Sequence, residues 1–119
     1  MSDILHRLSM SASREEVFRA ISVDRLLASF TRLGVSLRVL DKVNDEHIAW
    51  RCIEGPSEWV GTDITIDLER DGGETVLCFA HKNWSRPSPT MATCATHWAW
   101  SLLYLKRWVE TAEPEDVNC

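Results

Sequence analysis

Positive charge is the first thing this chain is short of: 13 Lys and Arg face 18 Asp and Glu, a formal net charge of −5. Phosphate binding needs positive potential, so neither nucleic acid nor an anionic membrane surface is an expected partner. Arg86 and the Lys106–Arg107 pair are scattered, without a recognition helix or a single-strand stacking motif around them. The chain has no CxxC, HxH or HExxH pattern and no glycine-rich phosphate loop, so no metal and no cofactor is expected. Its start, "MSDILHRLSM", lacks the basic region and long apolar run of a secretory signal, and a cytoplasmic location is the expectation. Four cysteines at 52, 78, 94 and 119 show no short repeated spacing. They read as free thiols, the first three buried as small hydrophobes and Cys119 on a frayed end.

Charge of either sign is missing between Pro87 and Leu105, in a stretch that holds a histidine, several hydroxyls and two of the six tryptophans. The length approaches a membrane span, but the hydroxyl-rich first half and the flanking prolines favour a core helix. Apolar residues at 91, 95, 98, 102, 105 and 109 follow the steps of an amphipathic helix, with Thr90 as its expected cap. The helix should run for about 20 residues and give way to an acidic tail at 113–119.

A chain of 119 residues fits one domain, here 1–112. Ile4 to Met10 read as a strand. Ser13 with Glu16 makes a capping box for a short helix carrying Val17, Phe18 and Ile21, and Asp24 is the expected cap of a second short helix through Phe30. From Val35 the pattern is extended, breaks at Asn44–Asp45, and resumes in "HIAWRCI" with Ile48, Trp50 and Cys52 on one face. After the turn signal "EGPSE", the run "WVGTDITIDLE" reads as one strand with Val60, Thr62, Ile64, Ile66 and Leu68 inward and Trp59, Gly61, Asp63, Thr65 and Asp67 outward. Asp63 and Asp67 on that outer face are solvated acids, too far apart for a retaining carboxylate pair. Gly61 inside the run predicts a bulge or sharp curvature. "RDGGE" is a hairpin, and "TVLCFAH" returns with Thr75, Leu77, Phe79 and His81 on one parity. The expected architecture is α+β: an antiparallel meander laid against a long C-terminal helix.

"SREEVFRAIS", then "IAWRCIEGPSEWVGTDITIDLERDGGETVLCFAHKNW", then "CATHWAWSLLYLKRWVET" resemble the activator-of-Hsp90-ATPase homology branch of the START/Bet v 1-like, or SRPBCC, superfamily. The resemblance spans essentially the whole chain. It implies the helix-grip fold, in which a curved antiparallel sheet wraps the C-terminal helix and often leaves an apolar cavity. Relatives of this kind usually place about two further strands before the one that begins here near Val35, where only "TRLG" intervenes. The reading carried forward is that an insertion near 30–35 has been omitted, the alternative being a shortened sheet.

The expected ligand-lining residues are His81, Trp84, Cys94, His97, Trp98 and Ser101, with His6 near the same space. Cys94 and His97 stand three apart on the helix, and Trp98 sits in its apolar stripe. Trp100 lies nearly opposite that stripe and is the candidate for a homodimer or partner contact. Two functions follow: binding of an apolar or lipid-like small molecule between sheet and helix, or a protein-interaction or stress-associated module of the Hsp90 co-chaperone kind. Cyclase or dehydrase chemistry occurs in the wider superfamily, but no catalytic constellation supports it here.

Overall fold

A computed structural model describes residues 2–111. The elements run β1 (Ser2–Met10), α1 (Arg14–Ala20), α2 (Val23–Leu26), a 3-10 segment (Ala28–Leu33), β2 (Ser36–Val43), β3 (His47–Glu54), β4 (Asp63–Asp71), β5 (Glu74–Trp84) and α3 (Pro89–Thr111). The strands form one antiparallel sheet in the order β1-β5-β4-β3-β2, against which α3 packs. This is the α+β helix-grip arrangement. The acidic tail, with Cys119, lies outside the described residues.

Period-two patterning sets the inner face. Register places Ile4, His81, Ile64 and Trp50 in one row across four strands, and His6, Phe79, Ile66 and Ile48 in the next. All but His6 in these rows are buried. On the other face Arg51 grips Asp63 through two hydrogen bonds of 2.8 and 3.1 Å, and His47 Nδ1 meets Asp67 at 2.6 Å. The two acids therefore pair with β3 rather than with each other.

The capping box at Ser13 and Glu16 forms in both directions, satisfying two of the amide donors that a helix start leaves open. Two other caps fall elsewhere than the pattern suggests. Ser22, not Asp24, caps α2 by accepting from the Arg25 amide. This helix ends at Leu26, and the chain continues as a 3-10 segment that breaks helical geometry at Phe30. At α3 the cap is Ser88, whose Oγ accepts from the Met91 amide, while Pro89 takes the first helical position, where its missing donor costs nothing. The Ser88 hydroxyl also donates to Glu58, tying the helix start to the loop before β4. At the other end Lys106 Nζ donates to the Ser9 carbonyl and Glu110 accepts from the Ser11 amide, so α3 is fastened to β1. Between Phe30 and Val35 the chain passes through Gly34 (φ 66°) straight into β2.

The largest departure concerns the run from Trp59. Strand β4 begins only at Asp63; residues 57–61 form a turn, held by the Gly61 amide donating to the Cys52 carbonyl and the Trp59 amide donating to the Pro56 carbonyl. Gly61 adopts φ 89°, a conformation that side-chain-bearing residues rarely reach. The turn inverts the expected facing of two of its residues: Trp59 is 0% exposed and Val60 is 50% exposed. Cys78, too, is half-buried rather than buried.

Candidate functional site

The buried rings converge on Trp98, in the middle of α3. Its centroid lies 4.7 Å from Phe79, 4.7 Å from Phe30, 5.9 Å from His81 and 6.0 Å from Trp59. Trp84, at the end of β5, closes the far side at 4.9 Å from His81 and 6.3 Å from Trp59. Edge and tilted contacts of this kind let each ring's positive rim meet a neighbour's negative face.

A chain of hydrogen bonds runs through these rings. Trp98 Nε1 donates to His81 Nδ1 at 3.0 Å, and His81 Nε2 lies 2.8 Å from Thr62 Oγ1. Thr62 Oγ1 in turn donates to the Trp59 carbonyl at 2.5 Å. An indole N–H can only donate, so Nδ1 is the acceptor and the proton of a neutral imidazole sits on Nε2, facing Thr62. The hydroxyl receives that proton's hydrogen bond and passes its own to the carbonyl. Every donor and acceptor in the chain is used, with a neutral ring at its centre. His81 is 0% exposed, and loss of hydration pushes its pKa down to about 3, with Asp63 opposing weakly.

Two indole donors in the same region are buried without a hydrogen-bond acceptor, those of Trp59 and Trp84. The Trp59 N–H interacts with the Cys94 thiol, a soft and weak acceptor. Burial raises the pKa of Cys94 more than that contact lowers it, so the thiol stays protonated and is a poor nucleophile.

The sequence-derived candidates thus divide. His81, Trp84, Trp98 and Cys94 come together in the interior. Ser101 is buried on the same side of α3, one turn on. His97 turns away, half-buried, with its ring against Phe30 at 5.6 Å and edge-on to Trp100 at 5.4 Å. Trp100 is 60% exposed. Trp108 is also exposed and carries the Arg25 guanidinium 4.6 Å above its ring. His6 Nε2 donates to the Ala95 carbonyl of α3, 3.0 Å away, and stands outside the cluster's hydrogen-bond chain. Trp59, Thr62 and Phe30 belong to the site and escaped the sequence reading. The bracketing of "GPSEWVG" by two glycines is the signal that marks Trp59 as a turn residue rather than strand.

Two grooves of about 380 Å³ flank the cluster. One runs between β1 and the start of α3, past Ile4, His6, Met91 and Ala95. The other lies beside the 3-10 segment, lined by Val23, Asp24, Leu27, Phe30, Gly34 and Val35. Among the described residues no group of three or more His, Cys, Asp or Glu side chains is placed to hold a metal ion, and no helix is long and apolar enough to cross a membrane.

No protein-family model and no curated protein matches the sequence. Solved structures do. The Aha1 dimer from Colwellia psychrerythraea, determined in solution, superposes with a TM-score of 0.80 at 28% identity, over 93% of this chain and 98% of that one. DynU16, from the dynemicin biosynthetic locus, gives a TM-score of 0.71 at 18% identity over 96% of this chain and 49% of its own. CalU16 from Micromonospora echinospora gives 0.65 at 15% identity, over 95% and 78%. The fold is that of Aha1 and its structural neighbours.

Proposed function

We propose that this is a small-molecule-binding domain of the Aha1-like branch of the helix-grip superfamily, holding an apolar or amphipathic ligand between the sheet and α3. One observation carries the reading: a polar chain, Trp98–His81–Thr62, is built into the aromatic interior beside two indole donors, that of Trp84 without an acceptor and that of Trp59 met only by the weakly accepting Cys94 thiol. A core needing only to be stable would fill this position with aliphatic side chains, since leaving a buried donor unmet costs on the order of 1–3 kcal/mol. Donors fixed in an apolar surround are the usual lining of a ligand site, where rings supply affinity and a few polar groups orient the guest. The likeness in fold to DynU16, named for a biosynthetic locus, agrees with a small-molecule role. The residues assigned to it are His81, Trp84, Cys94, Trp98 and Ser101, now with Trp59 and Thr62.

Native mass spectrometry of freshly purified protein, followed by denaturing analysis of what is released, tests the reading. A stoichiometric organic adduct is the expected result. A bare protomer that also shows no saturable binding to any member of an aromatic and fatty-acid panel overturns it.

A second reading, self-association, is favoured by a different observation. The outward face of α3 exposes Trp100, Leu103 and Tyr104 in a stretch without charge, so two copies could meet there without like-charge repulsion. The dimeric state named for the Colwellia protein points the same way. The mass of the protein in solution is its direct readout.

A further inference from the structure

We propose that Phe30 is a displaceable plug in the ligand site, and that the molecule taking its place is a flat, uncharged aromatic bearing a hydrogen-bond acceptor oxygen. This inference rests on the small-molecule reading above and gives it an entrance and a ligand class.

Phe30 is the member of the ring cluster contributed by neither the sheet, nor α3, nor the turn before β4. It comes from the 3-10 segment, whose regular geometry is interrupted at this residue (φ −121°, ψ 19°). Its ring reaches inward between Trp59, at 5.1 Å, and Trp98, at 4.7 Å. On its other side lies the groove of about 380 Å³ lined by Val23, Leu27, Gly34 and Val35. Phe30 is thus the partition between an open apolar groove and the buried indoles. Gly34, which ends the segment, sits at φ 66° with nothing within 4 Å of where a side chain would begin. Outward rotation of Phe30 would join groove and interior and present the faces of Trp59 and Trp98 to a guest. The volume released suits a planar ring, because a phenyl already occupies it in contact with both indoles.

The polar groups set the rest of the ligand. Trp59 Nε1 is a buried donor met by nothing stronger than the Cys94 thiol, and an oxygen on the guest would give it a full hydrogen-bond acceptor. An ion of either sign would shed its hydration among the rings, and an anion would in addition meet Asp24 in the groove lining while the interior histidine is committed as a neutral ring between Trp98 and Thr62. A carboxylate would be desolvated there with no cation to meet it. A ketone, ester or phenolic ether oxygen on an aromatic frame fits both conditions.

The test uses 2-acetylnaphthalene as the neutral probe and 2-naphthoate as its anionic counterpart, titrated into 15N-labelled full-length protein. The wild type, Phe30→Ala and Phe30→Leu are compared; the leucine variant retains apolar bulk in case loss of the whole ring unfolds the domain. The expected result is saturable movement of the Trp59 and Trp98 indole N–H resonances by the ketone. Affinity should rise roughly tenfold or more when the ring is removed, because a plug that is out in a minority of molecules lowers apparent affinity by that fraction. Naphthoate should bind more weakly than the ketone. Saturable binding that is indifferent to Phe30, or that shifts only resonances along β1 and Met91, overturns the plug while leaving a ligand-binding domain intact. Equal or tighter binding of naphthoate overturns the uncharged ligand class. Failure of both folded variants to bind either probe overturns the plug and removes the aromatic-ligand version of the reading with it.

Discussion

His81 shows how much one side chain can commit the interior to a single charge state. Folded, its pKa is about 3; unfolded, it returns to the ordinary value of 6.5. The unfolded chain therefore takes up a proton first as pH falls, and stability drops through the window from 6.5 towards 3. At pH 5 the linked loss from this residue alone is about 2 kcal/mol, taking 1.36 kcal/mol for each pH unit below the unfolded pKa. Urea unfolding at pH 7 and pH 5 should show the midpoint fall, and His81→Asn should flatten that dependence while lowering stability at pH 7. An unchanged slope in the variant would assign the acid sensitivity elsewhere. Thr62 is the partner that fixes the imidazole's proton. Thr62→Val keeps the shape and deletes the acceptor, and thermal unfolding should report a loss of about 1–3 kcal/mol, the cost of a buried donor left unmet.

At the scale of elements, the caps decide where helices begin. Ser13→Ala removes half of a reciprocal box, and Ser88→Ala removes both an amide acceptor and the donor to Glu58. Each should cost about 1 kcal/mol in denaturant unfolding. Ser88→Ala should also loosen the turn that carries Trp59, seen as faster amide exchange at 57–61; equal exchange in the two proteins would sever that link.

The same elements show what the sequence could and could not say. The capping box, the "DGG" hairpin and the alternation in β3, β4 and β5 are local signals, and the structure follows them. The cap at Ser88 was obscured because Thr90 is also a good capping residue; Pro89, pre-set for the first helical turn, is what decides between them. Trp59 was misplaced for a different reason. "WVGTDITIDLE" alternates without interruption, so period alone extends β4 backward to Trp59, whereas the positive φ of Gly61 and the amide bonds to Pro56 and Cys52 are three-dimensional facts. Of the site, the inward parity of His81 and the position of Trp98 on the helical stripe were legible. That His81 meets Thr62, and that Phe30 crosses from a separate segment to reach both indoles, depends on contacts between residues about 20 to 70 apart in the chain.

At the scale of the whole molecule, the question is whether α3 is covered. Its inner side grips the sheet, and its outer side leaves Trp100 more than half exposed beside Leu103 and Tyr104. Sedimentation equilibrium should give twice the chain mass for the wild type, and Trp100→Lys should shift the species towards the monomer with little change in intrinsic stability. A monomer at all concentrations, or a dimer unaffected by the lysine, would remove this face as the contact.

One of the two edge strands has a consequence of another kind. β2 exposes Val39, Leu40 and Val43 on a sheet edge, a combination that invites a foreign strand to add itself. Its pairing with β3 skips a residue between Val39 and Asp41, and Arg38, Asp41 and Lys42 stand around that irregularity. Such a kink spoils the straight row of amides that an incoming strand would need, and the charges penalise its approach. The irregular register of β2 thus guards the molecule against fibrous aggregation along this edge.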